Sequence, residues 1–147
     1  MPIIYVHSAK ARSVNCLLIK MNRHNLDFGK TSESEAAEFL KNQGYKILEL
    51  NYRSIFGEID IVAKDGRVIC FIEVKSRSTS AFGLPKEAVN RRKQYKLSQS
   101  ALAYLKERRL LNHSCRFDVL ALSRDEQGQP GFELLKDAFE LNGKYTY

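Results

Sequence analysis

The run from Val68 to Val74 most constrains the fold, because every position in it except Glu73 is apolar. A strand that is apolar on both sides is typical of a sheet whose two faces are both covered. In α/β proteins helices provide that cover. The sequence therefore predicts an α/β fold with helices on both faces of a sheet.

Helical and strand-like patterns follow one another along the chain in an order that fits this fold. A helix is predicted over 33–42, with Thr31 or Ser32 as its N-cap and Gly44 just beyond its end. A second helix is predicted over 86–109. The predicted strands are Tyr45–Tyr52, Glu58–Ala63, Val68–Lys75 and Arg116–Leu122, followed by an apolar element at Phe132–Phe139. This order predicts a mixed sheet flanked by two helices.

The length of 147 residues suits one domain, since domains commonly hold about 100–200 residues. Residues 1–27 lack periodicity and are interpreted as an N-terminal extension that is either disordered or not native. Met21 precedes the first helix signal and offers an alternative translation start. The folded domain is predicted over 28–140, with 141–147 as a C-terminal tail.

Composition and motifs exclude a membrane protein and a disulfide framework. No apolar run approaches the roughly 18–20 residues of a membrane-spanning helix, and no signal-peptide pattern is found. Cys16, Cys70 and Cys115 are odd in number and far apart, which favours reduced thiols over a zinc site or disulfides. We therefore expect a cytoplasmic protein.

The positive charge is concentrated in residues 86–116, which hold nine cations and two anions. This difference equals the formal net charge of +7 of the whole chain. A concentrated basic segment suits a polyanion, because lysine and arginine displace counterions from phosphates. A solvated basic helix face is the alternative interpretation.

The turn predicted at Asp65-Gly66 sets the pairing of the two strands beside it. Centred there, it places Asp60 opposite Phe71 and Glu58 opposite Glu73. Because paired positions share a face and side chains alternate, four polar side chains then project from one face. They are Glu58, Asp60, Glu73 and Lys75.

Asp60 and Glu73 would be diagonal neighbours in this register, with Cα atoms about 7–8 Å apart. Two carboxylates at that distance can hold Mg²⁺, and the carbonyl of Val74 is a further candidate ligand. Lys75 can orient a water or stabilise charge on a phosphate. The alternative is a charge pair on a solvated strand, but charges at the end of an apolar strand are costly unless they are paired or ligating.

These motifs resemble the PD-(D/E)xK signature of the restriction-endonuclease-like superfamily. The signature residues are Gly57-Glu-Ile-Asp60 and Phe71-Ile-Glu73-Val-Lys75. More closely, the chain resembles the YraN family of bacterial proteins over about 28–140. Supporting segments are Gly29-x-x-x-Glu33, Asn51-x-Arg53, Val74-Lys-x-Arg77 with Phe82-Gly83, Lys93-Gln94-x-Lys96-Leu97, Cys115-Arg-Phe-Asp118 and Lys136-Asp-Ala-Phe139.

The resemblance implies a restriction-endonuclease-like αβββαβ core, similar to archaeal Holliday-junction resolvases. It further implies that Asp60, Glu73 and Glu33 bind Mg²⁺ or Mn²⁺ and that Lys75 is the catalytic lysine. The implied activity is metal-dependent hydrolysis of DNA phosphodiester bonds, including those of branched or structured DNA. By analogy with resolvases, a homodimer is also implied.

Residues expected to contact nucleic acid are Arg53, Arg77, Arg91, Arg92, Lys93, Gln94 and Lys96. Surface salt bridges are an equal alternative for the first two. Three aromatic residues near the motifs either stack on bases or pack in the core: Tyr52, Phe56 and Phe82. For Asp118 a structural hydrogen-bonding role is expected.

Two other functions remain open. The chain is alternatively a non-catalytic nucleic-acid-binding module that retains the nuclease fold. A third interpretation is an interaction protein whose basic helix binds an acidic protein partner. Binding that survives the loss of Asp60 and Glu73 would favour the second function, and competition by heparin but not by specific DNA structures would favour the third.

Overall fold

The computed structural model describes residues 32–76 and 89–140. In these ranges the chain forms two helices and five strands. They are α1 (32–42), β1 (Lys46–Ser54), β2 (Gly57–Asp65), β3 (Val68–Ser76), α2 (Arg91–Glu107), β4 (Cys115–Arg124) and β5 (Pro130–Phe139). The predicted αβββαβ order is confirmed, and β5 follows it. The predicted extension at 1–27 and tail at 141–147 lie outside the described residues.

The strands form a mixed sheet in the order β1-β2-β3-β4-β5 within the described ranges. Strands β3 and β4 are parallel, and the other three neighbouring pairs are antiparallel. A parallel pair needs a crossover connection, and α2 lies between β3 and β4 in the chain. The predicted α/β class with a mixed sheet is confirmed.

The core has one cluster on each face of the sheet. On one face, Leu97, Ala101 and Tyr104 of α2 pack with Phe71 and Phe117. The other cluster joins α1 to the sheet through Ala36, Ala37, Leu40, Ile61, Ile72 and Leu120. Strand β3 contributes to both clusters, which explains its nearly continuous apolar sequence.

Helix α1 ends where the glycine signal predicts. Gly44 has a φ of 88°, and its N–H donates to the Lys41 carbonyl at 2.9 Å. The N–H of Tyr45 donates to the Leu40 carbonyl at 3.0 Å, which completes a Schellman motif. Both Leu40 and Tyr45 belong to the same buried cluster, so the motif also directs the chain into β1.

Helix α2 is shorter than the predicted 86–109. It begins at Arg91, after Asn90, whose side chain accepts from the Lys93 N–H at 2.9 Å. This N-cap bond fixes the start of the helix. At the other end Arg109 has a φ of 58°, which α-helix does not allow. Positions 86–88 of the prediction lie outside the described residues.

The predicted register of the β2–β3 hairpin is wrong by two residues. Asp65 pairs with Val68, so Gly66-Arg67 forms the turn, and Val62 rather than Asp60 lies opposite Phe71. Gly66 has a φ of 59°, as the first position of a two-residue hairpin turn requires. A shift of two residues leaves every side chain on its face, so the apolar pattern could not reveal it.

An ionic network around the buried Asp118 contacts the turn end of this hairpin. Arg116 on β4 donates to Asp65 at 2.8 Å and to both oxygens of Asp118 at 3.0 and 3.1 Å. Asp118 also accepts from the Asp137 N–H of β5 at 2.9 Å. Hydrogen bonds from Arg116 and Lys136 hold the pKa of Asp65 below its usual value. The structural role predicted for Asp118 is confirmed.

Among the described residues, no helix combines the length and the apolar character needed to cross a membrane. Two of the three cysteines fall in those ranges, and both are free thiols. Burial raises the pKa of the Cys70 thiol to about 11 and also raises that of Cys115. These thiols are therefore protonated at neutral pH and serve as packing groups.

The turn between β1 and β2 docks on α2 at Gly57. The hydroxyls of Ser54 and Ser100 are hydrogen-bonded at 2.9 Å, and a Cβ on Gly57 would lie 3.9 Å from the Cβ of Lys96. Gly57 has a φ of 150°, a conformation that side chains disfavour. The space between Gly57 and α2 could therefore hold a methyl group, but the backbone conformation of Gly57 favours glycine.

Replacing Gly57 by alanine should lower the free energy of unfolding by about 1–3 kcal/mol, because alanine is strained at that φ. Urea denaturation followed by circular dichroism measures this. Gly66→Asn is the matched control, since asparagine tolerates a φ near 59° and should cost much less. Equal losses in the two variants would contradict this explanation of Gly57.

Candidate functional site

The alternation of side chains between the two faces of the sheet is interrupted in β2 at Asp60. Ile59 and Val62 both pack in the α2-side cluster, whereas Ile61 packs in the α1-side cluster. Strict alternation would place Ile59 and Ile61 on one face, so the alternation breaks between them. Asn51, which falls opposite Asp60 between two regular pairs of β1 and β2, has a φ of 53°.

This break lets the Asp60 side chain take the place of a ladder bond. The β2–β3 pairing ends at Ile61 and Ile72. Beyond that pair, Asp60 Oδ2 accepts from the Val74 N–H at 2.8 Å. One further step in this register would place Asp60 opposite Glu73, so the diagonal relation predicted for them is wrong. The two carboxylates belong to neighbouring strands at the same level of the sheet.

Glu73 is a buried carboxylate with cations on one oxygen only. Its side chain is 5% exposed, and Oε1 lies 2.8 Å from Lys75 Nζ and 3.2 Å from Lys93 Nζ. Its other oxygen, Oε2, is buried and has no hydrogen-bond partner in the described part of the chain. An unpartnered buried carboxylate oxygen is costly, so this atom is suited to an added ligand.

Proximity and burial destabilise the charged form of Asp60. Burial is the largest cause and the Glu73 carboxylate the next, and together they raise the pKa of Asp60 from 3.8 to about 6. The Val74 N–H and Lys93 oppose this shift, while Glu33 adds to it. A carboxylate whose charged form is destabilised in this way gains from a nearby positive charge.

The structure separates the other predicted acids from this pair. Glu58 lies opposite Arg53 of β1 and is ion-paired with it at 3.3 Å. The predicted position of Glu58 opposite Glu73 is wrong, because the β2–β3 register is shifted by two residues. Glu33 lies on α1, half-buried, and acts on Asp60 through its charge. In ranges 32–76 and 89–140, no three acidic, histidine or cysteine side chains lie close enough together to hold a metal.

Two carboxylates nevertheless fit a hard divalent cation. Mg²⁺ prefers oxygen ligands and is commonly bound by one or two carboxylates, with waters and substrate phosphates completing the shell. Glu73 supplies the unpartnered Oε2, and Asp60 supplies a carboxylate that like charge destabilises. The donor chemistry therefore suits Mg²⁺ or Mn²⁺. The metal-ligand roles of Glu33 and the Val74 carbonyl stay predictions.

The predicted nucleic-acid-binding residues fall into two groups. Lys93 lies at Glu73, and Gln94 donates to the Val89 carbonyl at 2.8 Å, so both have internal partners. Arg53 is paired with Glu58. The three other predicted cations of α2 have no ion pair within the described residues and are Arg91, Arg92 and Lys96. Arg77 lies outside the described residues.

Sequence reasoning missed two features of the site. The sequence predicts Lys93 only as a phosphate contact, because a helix-to-sheet ion pair leaves no local signal. Asn51 enters the sequence analysis only as part of a motif. Its signal was available, since asparagine inside a strand is uncommon and is favoured at positive φ.

The raised pKa of Asp60 predicts a pH-dependent stability that Asp60→Asn should remove. Since the pKa of Asp60 is about 6 in the folded protein and 3.8 in the unfolded reference, stability is lost as pH rises from about 4 to 6. The loss is on the order of 2–3 kcal/mol. Urea denaturation in EDTA at several pH values measures the free energy of unfolding of the wild type and of the variant. A difference between the two that does not change from about pH 4 to 6 would contradict the prediction.

Comparisons with known proteins identify the family of the chain. The model of "Uncharacterised protein family UPF0102" matches residues 32–122, from α1 into β4, and includes Asp60, Glu73 and Lys75. A UPF0102 protein of Syntrophus aciditrophicus is 51% identical over 117 residues, which cover 80% of this chain and 91% of that protein.

Two further relatives are similar over comparable lengths. A UPF0102 protein of Moorella thermoacetica is 49% identical over 76% of this chain and 93% of its own length. One of Trichlorobacter lovleyi is 44% identical over 82% of this chain and 96% of its own. The predicted resemblance to the YraN family is thereby confirmed. The chain belongs to the uncharacterised protein family UPF0102.

Proposed function

We propose that this protein is a metal-dependent nuclease that hydrolyses DNA phosphodiester bonds. The observation that supports it most is the site at Asp60 and Glu73. There two carboxylates adjoin, one buried oxygen lacks a partner among the described residues, and Lys75 Nζ lies 2.8 Å from the same carboxylate. Carboxylates and a lysine at the end of a buried strand are costly to stability, which a catalytic role would explain.

A divalent cation bound at this pair would polarise a phosphoryl oxygen and lower the pKa of a water. Asp60 and Glu73 would hold the cation. The Val74 N–H orients the Asp60 carboxylate, so this ligand is fixed before substrate arrives. Lys75, whose side chain is 35% exposed, can direct its ammonium group to the attacking water or to the phosphate charge.

Lys93 has a distinct role in this proposal. Its ammonium group lies 3.2 Å from Glu73 Oε1 and lowers the pKa of Asp60. It thereby favours the charged form of Asp60, which is the form that binds a cation, and it is ion-paired with Glu73. Its side chain is 39% exposed, so it can also reach a phosphate next to the site.

Helix α2 supplies the proposed surface for the DNA backbone. Its N-terminal half holds Arg91, Arg92 and Lys96, which are exposed and lack ion pairs within the described ranges. Cations of this kind bind phosphates without reading sequence. The proposed partner is DNA in the cytoplasm, and a homodimer follows only by analogy with resolvases.

Divalent cations should raise the melting temperature of the wild-type protein. At a concentration roughly tenfold above Kd, we expect a rise of about 4–8 °C. Asp60→Asn and Glu73→Gln should abolish this rise, because each removes one proposed ligand. Differential scanning fluorimetry in EDTA, Mg²⁺ and Mn²⁺ measures it. Glu35→Gln, which alters a carboxylate paired with Arg124, is the control and should retain the rise.

DNA cleavage should depend on the same residues. With Mg²⁺ or Mn²⁺, Asp60→Asn, Glu73→Gln and Lys75→Met should each lower the rate by on the order of 100- to 1000-fold. Labelled duplex, single-stranded and four-way-junction DNA are the substrates, each with and without EDTA. Lys41→Met, on the exposed side of α1, should retain full activity. Undiminished cleavage by all three variants would contradict the assignment.

One observation favours a second function, a nucleic-acid-binding module without catalysis. Glu73 has two lysine partners on Oε1, and Asp60 is bonded to an amide, so internal contacts already satisfy much of the site. This alternative predicts salt-sensitive binding that EDTA does not affect. It also predicts that Asp60→Asn and Glu73→Gln bind DNA as tightly as the wild type or more tightly. The cleavage assay separates the two functions.

A further inference from the structure

The turn between β1 and β2 presents an apolar tip. Ile55 is 94% exposed and Phe56 is 41% exposed, and they are adjacent in the turn that joins Ser54 to Gly57. Of the aromatic residues near the motifs that the structure describes, Tyr52 is buried in the core, so Phe56 alone remains available to a partner. Exposed apolar side chains at the tip of a turn are well placed for insertion.

The tip is held in place before any partner binds. The Phe56 N–H donates to Ser54 Oγ at 3.1 Å, and that hydroxyl donates to the Gly57 carbonyl at 3.2 Å. The same hydroxyl is hydrogen-bonded to Ser100 of α2 at 2.9 Å. A turn fixed to a helix loses little conformational entropy on binding, which favours insertion as a rigid body.

The surroundings of the tip are positively charged. Lys96 lies against Gly57, and Arg92 precedes it by about one helical turn. Arg53, with a side chain 78% exposed, precedes the turn in β1 and is paired with Glu58. This charge complements a polyanion. It would repel the same face of a second copy of the chain, which disfavours self-association through the tip.

Two short stretches of chain connect the tip to the carboxylate pair, one along β2 and one along α2. From Phe56 to Asp60 along β2 is four residues, or about 13 Å. On α2, Ser100 is bonded to Ser54 beside the turn and Lys93 is paired with Glu73. These two residues are seven positions apart, or about 10 Å along the helix. At about 3.4 Å for each nucleotide step, these lengths correspond to about three to four nucleotides.

We propose that the Ile55-Phe56 tip inserts into nucleic acid and that Phe56 stacks on a base that is unpaired or unstacked. This inference rests on the proposed function for its partner class. It names the substrate as DNA that has an unpaired or unstacked base about three to four nucleotides from the phosphate bound at Asp60 and Glu73. A branch point offers a base that lacks a stacking neighbour on one face, even where every base is paired, and intact duplex does not without unstacking.

Fluorescence anisotropy with labelled DNA tests this proposal in EDTA, where binding is independent of cleavage. The probes are a four-way junction and a duplex of the same length at fixed salt. Phe56→Ala should weaken junction binding by about 5- to 100-fold and duplex binding by less than twofold. Phe56→Tyr should restore the affinity, since it keeps the stacking ring. Leu111→Ala, another exposed apolar residue, is the control and should bind as the wild type does.

A second readout places the ring on the base. The fluorescence of 2-aminopurine at the branch point should change on binding of the wild type and not on binding of Phe56→Ala. Equal weakening on both probes, an unchanged junction affinity, or no junction preference in the wild type would each overturn the proposal. Sedimentation that shows a dimer lost in Phe56→Ala would assign the tip to self-association instead. Failure of cleavage alone would leave this result standing and refute only the catalytic proposal.

Discussion

The hydrogen bond from the Val74 N–H to Asp60 is the interaction on which the site depends. At this level β2 no longer pairs with β3 through its backbone, so a carboxylate satisfies an amide that would otherwise lack a partner. Two needs are met by one contact, because the amide is bonded and the carboxylate is aimed at the neighbouring strand. The positive φ of Asn51 accommodates the same irregularity on β1.

The charged groups around this bond lower the stability of the folded protein. Burial and like charge raise the pKa of Asp60, and two lysines crowd one oxygen of Glu73. An apolar replacement would cost less in the folded protein, as is common for buried ionic groups. The arrangement resembles a site in which charged groups are kept close at the expense of stability, as binding and catalytic sites require.

Much of the fold could be predicted from sequence because it follows from local patterns. The apolar β3 predicted a covered sheet, and Gly44 predicted the end of α1, since each signal lies within a few residues of its consequence. The face of Glu73 and Lys75 was predictable from alternation alone. The hairpin register, the break at Asp60 and the position of Lys93 were not, because each depends on contacts between distant segments.

The Arg116 network has a consequence for how this hairpin is specified. Burial of apolar side chains distinguishes odd from even slips of a strand and is indifferent to a slip of two residues. Here the observed alignment brings Asp65 within 2.8 Å of Arg116, and this ionic contact favours it over an even slip. The hydrophobic pattern therefore specifies which side chains of the hairpin are buried. The guanidinium of Arg116, on a third strand, contributes to specifying which residues of β2 and β3 lie opposite each other.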